Sequence, residues 1–544
     1  MNVACATALA DQLARAGVSC VCSAPGSRSA PLTVAFARDP RFETVVHLDE
    51  RAAAFFALGR ARASGTPVAV VCTSGTAAAE FLPAVVESSM SRVPLLVITA
   101  DRPEELVGTG ANQTIEQTEL YGSYVRWFFE PGAPSDARDP ARWREMAARA
   151  VRACIGPPAG PVHLNLAFRE PLIDAAAVET PPLPVENPPA RALPEVGRLA
   201  ELVSSTERGV VVAGGGAARD AAAGHDVGAF AARAGWPLIA EPHSGARVPP
   251  HALSTPQALL LAGFAVPDVV LQLGAVPTSR ATSSFVASAA QLVTVDADGW
   301  LQDPTRRATT VRAEPSVLAR ALSGLVPERE SAWSKEWWEA DRIARTALDA
   351  YLDGVDEPFE TRVARDVAAS VADGSTLFVS SSMPIRDLDI AMAPREGVRV
   401  LSNRGASGID GFVSSALGAA PCIALCGDLS FLHDAGGFLW GARRGSAVTF
   451  VVIDNNGGGI FDLLPHASLP EHERFFVTPH GLDLRLVAEA AGTSYARVER
   501  ARDLVPALSH PHAWGARVVH LPVDRARAVT RRAELLDAVR RALA

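Results

Sequence analysis

Short apolar runs rich in β-branched residues recur along the chain, each bounded by Gly, Pro or small polar residues and followed by a segment with apolar positions at helical spacing. Residues 44–47, 68–72 and 94–99 form such runs early, 209–213, 269–273 and 291–296 in the middle, and 377–380, 398–401, 422–426 and 448–453 late. Runs that are apolar throughout, alternating with helical patterns, predict buried parallel strands joined by crossover helices. Residues 179–194 are rich in Pro and lack periodicity, which predicts a linker. Residues 328–360 are charged, carry Trp333, Trp337 and Trp338, and read as a helical connector. The expected class is α/β, with three doubly wound parallel-sheet domains over 1–178, 195–327 and 361–544.

A length of 544 residues is too great for one core and agrees with several domains. The net charge of −9, without a basic arm, argues against nucleic acid as a partner. The seven cysteines lack the paired spacing and histidines of a zinc site and read as reduced core thiols. There is no cationic segment ahead of an apolar stretch at the start, and no apolar run long enough to span a bilayer. The expectation is therefore a cytoplasmic protein with no transmembrane segment.

Chemistry concentrates at strand ends. The run 422–426 ends in Gly427-Asp428-Leu429-Ser430, and the run 448–453 ends in Asp454-Asn455-Asn456-Gly457-Gly458-Gly459. Asn455 lies 27 residues beyond Asp428, a distance that one helix and one strand span, so both side chains reach the same carboxyl edge of a parallel sheet. An Asp oxygen, an Asn oxygen and a loop carbonyl make half of a hard-oxygen shell, which Mg²⁺ would complete with diphosphate oxygens and water. Either half alone is a common turn; the pair at this spacing is far more specific. In the first domain, Glu50 follows the run 44–47 and opens a helix, a position where an acid is ordinarily a dipole partner.

Four further strand ends carry an arginine among small residues: Arg28 after Gly26-Ser27, Arg102 after Ala100-Asp101, Arg386 after Ser382-Met383-Pro384-Ile385, and Arg404 after Ser402-Asn403. Singly, each would be a surface or ion-paired side chain. Together they suit substrates with several carboxylates, since the guanidinium fork matches that group.

The Gly427-Asp428 and Asn455-Asn456-Gly457 elements resemble the metal and diphosphate motif of thiamine-diphosphate enzymes, although Leu429 replaces the usual third-position Gly. With the arginine loops, Gly110-Ala111-Asn112-Gln113 and Gly459-Ile460-Phe461, the chain is similar to the 2-succinyl-5-enolpyruvyl-6-hydroxy-3-cyclohexene-1-carboxylate (SEPHCHC) synthase family of menaquinone biosynthesis. The resemblance touches the first and third domains throughout and the middle one only in character. It implies a pyrimidine-binding, a central and a diphosphate-binding domain. It also implies thiamine diphosphate with Mg²⁺ or Mn²⁺ as cofactors, and 2-oxoglutarate and isochorismate as substrates. By resemblance, Asp428 and Asn455 hold the metal by side chain and Gly457 by its carbonyl. Gly427, Leu429, Ser430 and Ile409 hold or prop the cofactor, and Glu50 activates its aminopyrimidine. Ser27, Arg28, Arg102, Asn112, Gln113, Arg280, Ser382, Arg386, Arg404, Ile460 and Phe461 match substrate-binding positions, with Arg280 contributed by the middle domain. Glu50 and Asp428 would come from different subunits of a homodimer or homotetramer. Alternatives are another carboligase, acetohydroxyacid-synthase-like; a non-catalytic binding protein, against which the retention of Glu50 argues; and an NAD-dependent dehydrogenase, for which no Gly-x-Gly-x-x-Gly fingerprint follows a first strand.

Overall fold

The computed structural model describes residues 1–174, 180–185, 192–509 and 515–544, the Arg444 side chain excepted. The expected boundary between residues 178 and 179 lies outside them, as does part of the expected linker. Among the described residues there are three sheets, every strand pair in them parallel. The first comprises β1 (Cys20–Ser23), β2 (Glu43–Val46), β3 (Val68–Cys72), β4 (Leu95–Asp101), β5 (Trp127–Phe129) and β6 (Pro161–Ala167), ordered β2-β1-β3-β4-β6-β5. The second comprises β7 (Gly209–Ala213), β8 (Leu238–Ala240), β9 (Val269–Leu273), β10 (Gln291–Asp296) and β11 (Thr309–Arg312), ordered β11-β10-β9-β7-β8. The third comprises β12 (Thr376–Val379), β13 (Arg399–Leu401), β14 (Cys422–Gly427), β15 (Val448–Asp454), β16 (Ser494–Arg497) and β17 (Ala516–Pro522), ordered β13-β12-β14-β15-β17-β16. Helix Ala332–Asp353 stands between the second and third sheets and buries Trp333 and Trp337 in one cluster with Leu535 and Val539 of the C-terminal helix.

The first and third sheets share one strand order, and in each the chain reverses direction between its first and third strands. Ligands of such sheets lie in the crevice beyond the strand ends at that reversal. In the first sheet the reversal falls between β1 and β3, beside the Gly26-Ser27-Arg28 turn. In the third it falls between β12 and β14, beside Ser382 and Asp428.

The two sheets are held together by the helices that occupy equivalent places in them. Helix Glu50–Ser64 starts at Asp49, whose side chain accepts the Ala52 N–H at 3.0 Å, and stops at Gly65, φ +71°. It is Ala-rich and buried nearly all round, because one side faces its own sheet and the other faces helix Phe412–Gly418 of the third domain. Phe55, Phe56, Val413, Leu417, Phe378 and Phe431 belong to a single cluster, so one core spans both domains. The approach is a backbone one. A Cβ on Gly59 would lie 2.0 Å from the Ser415 carbonyl oxygen, and one on Gly418 would lie 2.1 Å from that of Phe56. All seven cysteines are free and buried. Among the described residues no helix is long and apolar enough to cross a membrane.

Gly59→Ala tests the interdomain contact. In an unconstrained helix this change stabilises by about 0.5–1 kcal/mol, but the added methyl must displace backbone here, at a cost of about 1–3 kcal/mol or more. The expected outcome is a lower apparent Tm; an unchanged or higher Tm would mean that the two domains part easily.

Candidate active site

Three groups of side chains gather at the strand ends. At the first sheet, Arg28 Nη1 donates to the Phe168 carbonyl at 2.8 Å and pairs through Nη2 with Glu170 at 3.4 Å. Arg102 donates its backbone N–H to Asp101 Oδ1 at 2.7 Å and its guanidinium to Ser74 Oγ. Burial and the nearby Arg28 hold the Arg102 guanidinium below its usual pKa. Gln113, at φ +55°, donates Nε2 to the Ser74 carbonyl at 3.0 Å, while Ser74 Oγ donates to the Gln113 carbonyl at 3.0 Å. Ser27 and Asn112 are exposed beside them.

The second group is at the third sheet and the middle domain. Ser382, at φ +72°, is the N-cap of helix Met383–Ala391, and Arg386 within that helix donates back to the Ser382 carbonyl. Arg386 and Arg404 are both held below the ordinary arginine range by burial, and Arg404 further by Arg386 itself. Arg404 Nε is buried without a partner. Glu241 of the middle domain is 2% exposed and is the acid that offsets both charges. It accepts the Thr278 N–H at 2.6 Å through Oε1, while its buried Oε2 has no hydrogen-bond partner. Arg404, Ser402, His243, Arg62 and Arg92 also line a cavity of about 820 Å³ where the three domains meet; Glu50, Asp428 and Asn455 are not in its wall. Arg280 stands apart, exposed in the first turn of helix Arg280–Ser288, where Ser279 is the N-cap.

The third group surrounds Asp428. Its carboxylate accepts the Leu429 N–H at 2.7 Å and the Gly457 N–H at 2.7 Å, and His480 Nε2 lies 3.2 Å away. Burial and the neighbouring Asp454 raise its pKa, which marks a place poor in positive charge. Asp454 in turn meets His520 Nε2 at 2.9 Å. Asp428, Asp454 and His480 each offer a donor atom within 4.8 Å of the others. Asn455 Oδ1 is buried with no partner, and a Cβ on Gly459 would lie 2.5 Å from its Nδ2. An unpaired buried amide oxygen at the end of the strand beside that of Asp428 fits a hard divalent cation. Ile460 and Phe461 lie in the half-buried turn Gly459–Leu463, with Phe461 edge-on to Phe476 at 5.7 Å.

Glu50 is half-buried at the first turn of its helix, and burial raises its pKa, with Asp49 and Glu80 adding to the effect. Its surroundings are shared with the third domain of the same chain: Arg51 donates to the His433 carbonyl at 3.3 Å and Trp440 Nε1 to the Val46 carbonyl at 2.9 Å. Ile409 is half-buried in the loop that ends at Gly411, φ +62°, where a Cβ would strike the Phe55 ring at 1.9 Å. Among the described residues no hydrogen bond or ion pair joins the Arg28–Arg102 group to the Arg386–Arg404 group.

The sequence reading missed Ser74, Gln117, Glu241, Asp454 and His480. Gln117 Oε1 accepts the Gly75 N–H at 2.8 Å and so fixes the turn after β3. His480 reaches Asp428 from 52 positions away, a link that no local spacing could announce. Asp454 directly precedes Asn455 and was legible.

Residues 3–120 match the family described as thiamine pyrophosphate enzyme, N-terminal TPP binding domain, and residues 395–520 its C-terminal TPP binding domain. The chain is 44% identical to the 2-succinyl-5-enolpyruvyl-6-hydroxy-3-cyclohexene-1-carboxylate synthase of Thermobifida fusca (strain YX) over 99% of both. It is 40% identical to the synthase of that name from Roseiflexus castenholzii, again over 99% of both. To that of Halobacterium salinarum it is 41% identical over 92% of this chain and 91% of the other. The fold is similar to that of benzoylformate decarboxylase from Polynucleobacter necessarius, with a TM-score of 0.71, 19% identity, and coverage of 96% and 98%.

The raised Glu50 pKa has a thermodynamic consequence. A carboxyl whose folded pKa lies above its unfolded value favours the folded state most when protonated, and that advantage is lost as pH rises through the folded pKa. Glu50→Gln, which cannot ionise, should gain in apparent Tm relative to the native protein as pH is raised from about 4 to about 8. A Tm difference independent of pH would place Glu50 in an environment no less polar than water.

Proposed function

Because the chain belongs to the 2-succinyl-5-enolpyruvyl-6-hydroxy-3-cyclohexene-1-carboxylate synthase family of thiamine-diphosphate enzymes, we propose that it decarboxylates 2-oxoglutarate and adds the remaining four-carbon unit to isochorismate, as a transferase of menaquinone biosynthesis. The observation that carries this reading is the pair of half-buried guanidiniums Arg386 and Arg404, both held below the ordinary arginine range by burial, with Arg404 Nε lacking a partner. Two cations held below their usual pKa are relieved by a ligand that brings carboxylates, and both substrates are dicarboxylates.

The cofactor supplies the electron sink for decarboxylation and carbon–carbon bond formation. This chain's residues bind, orient and exclude water. Asp428 and Asn455 would hold Mg²⁺ or Mn²⁺ by side chain and Gly457 by its carbonyl, with the diphosphate against the 427–430 turn. Asp454 and His480 stand around Asp428 as the outer contacts that orient a metal-binding carboxylate. Glu50 would hold a proton at the aminopyrimidine ring, a task suited to an acid whose pKa burial has raised. Ile409 would prop the cofactor, and Ile460 with Phe461 would wall the site. Arg28, Arg102, Gln113, Ser382 and Arg404 would take isochorismate, and Ser27 and Asn112 would bind substrate beside them. Arg386 would take a carboxylate of either substrate, and Arg280 would approach from the middle domain.

Among the described residues no hydrogen bond or ion pair links the Arg28–Arg102 group to the Arg386–Arg404 group, which agrees with a site shared by two copies in a homodimer or homotetramer. The protein would work in the cytoplasm, with domains over 1–178, 195–327 and 361–544.

The test is turnover of 2-oxoglutarate with thiamine diphosphate and Mg²⁺, with and without isochorismate, with products identified by mass. A succinyl adduct of isochorismate is expected, and Glu50→Gln should slow its formation at least about 100-fold. Turnover of pyruvate with isochorismate untouched would leave the cofactor in place and overturn the substrates.

A further inference from the structure

Arg404 and Ile409 lie on residues 402–411, a stretch with no regular structure up to the helix that begins at Phe412. Irregular backbone ordinarily lies at the surface, where water satisfies its N–H groups, and a chain that must hold an arginine in one place needs other anchors. Three are visible. At the far end, Gly411 is pressed on Phe55 so closely that no side chain fits. Just before Arg404, Asn403 accepts from Ser381 Oγ at its carbonyl at 3.0 Å and donates Nδ2 to Ser415 Oγ at 2.9 Å. Just after Arg404, the anchor is a buried acid of the first domain.

Glu87 lies in helix Leu82–Ser91 and is 3% exposed. Its Oε1 accepts the Gly405 N–H at 2.9 Å and its Oε2 the Ala406 N–H at 2.7 Å, so one carboxylate takes two successive backbone donors of another domain. Arg62 of helix Glu50–Ser64 completes the arrangement, donating Nη2 to Glu87 Oε1 at 3.0 Å and to Ser91 Oγ at 2.7 Å. The fit leaves no slack: a Cβ on Gly405 would lie 2.8 Å from both the Glu87 carbonyl oxygen and the Ser91 nitrogen. A buried acid serving only the stability of its own helix would pair with Arg62 and leave the loop to itself. Here two of its three bonds go to the residues that follow Arg404.

We propose that Glu87 is a positioning residue for carboxylate recognition, clasping the Gly405 and Ala406 N–H groups so that Arg404 stands ready for the second substrate. The inference rests on the reading of Arg404 as part of the isochorismate site. Glu87 touches neither substrate nor cofactor and acts through the loop. Since Gly411 and Phe55 secure the Ile409 end separately, loosening the clasp acts on Arg404 and spares the cofactor.

Glu87→Gln keeps the size but offers one acceptor and one donor where two acceptors are needed, and it removes the charge opposite Arg62. In the holoenzyme the KM for isochorismate should rise about tenfold or more, while the KM for 2-oxoglutarate and the affinity for thiamine diphosphate hold. Glu87→Asp should recover part of the loss. Arg404→Ala and the double variant are measured alongside. If Glu87 acts through Arg404, adding Glu87→Gln to Arg404→Ala changes the isochorismate KM no further. Additive effects, or an equal loss in 2-oxoglutarate KM and cofactor affinity, would overturn the proposal in favour of general loosening between domains. An Arg404→Ala enzyme with an unchanged isochorismate KM would overturn it too, and would locate the error in the role given to Arg404. Should Glu87→Gln fail to fold, Gly405→Ala opens the clasp from the loop side and is read the same way.

Discussion

The arrangement of the first and third domains depends on one close contact, the meeting of helix Glu50–Ser64 with helix Phe412–Gly418, where Gly59 and Gly418 let backbone touch backbone. Interiors are packed to crystal density, so two helices with no side chain between them have one seating and no others nearby. That seating relates the carboxyl edge of the first sheet to that of the third. It sets the turn bearing Glu50 against residues 433–440 and the loop bearing Arg404 against Glu87. The first and third domains of one chain are thereby held in one arrangement, and among the described residues no hydrogen bond or ion pair links Arg28 and Arg102 of the first to Arg386 and Arg404 of the third.

Charge is used against its usual tendency in these groups. Arginine is costly to bury, yet Arg386 and Arg404 are both half-buried and held below the ordinary arginine range by burial, with Asp387 and Glu241 offsetting the first and Glu241 and Glu87 the second. Asp428 is an acid in a place where burial and another acid oppose its ionisation, and Asn455, just past the end of the neighbouring strand, keeps an unpaired buried oxygen. Each is unfavourable for the empty protein. Each becomes favourable when a carboxylate, or a cation bearing a diphosphate, brings the missing charge, which is how binding energy is reserved for the right ligand.

Much of this was legible along the chain. The apolar runs at 68–72, 209–213 and 448–453 fall on strands because a parallel strand covered on both faces has no polar side to show. Asp428 and Asn455 were found because one crossover unit fixes their spacing. The repetition of one strand order in the first and third sheets was not legible, since topology repeats without residues repeating. Glu87, Glu241 and His480 were missed for a related reason: each acts on a partner dozens or hundreds of positions away, and a lone acid in an amphipathic helix carries no mark of what it meets. Arg280 stands exposed in the first turn of its helix, a placement that its neighbours in sequence do not announce.

On the proposed function, Glu50 of one copy and Asp428 of another complete a single site. The direct measurement is activity of purified heterodimers in which one chain carries Glu50→Gln and the other Asp428→Ala. If a site takes Glu50 from one chain and Asp428 from the other, each heterodimer holds one intact site and one doubly altered site, and activity returns to about half that of the native enzyme. If a single chain supplies both residues, neither site is intact and the heterodimer is as inactive as the two parent variants, which would contradict the account.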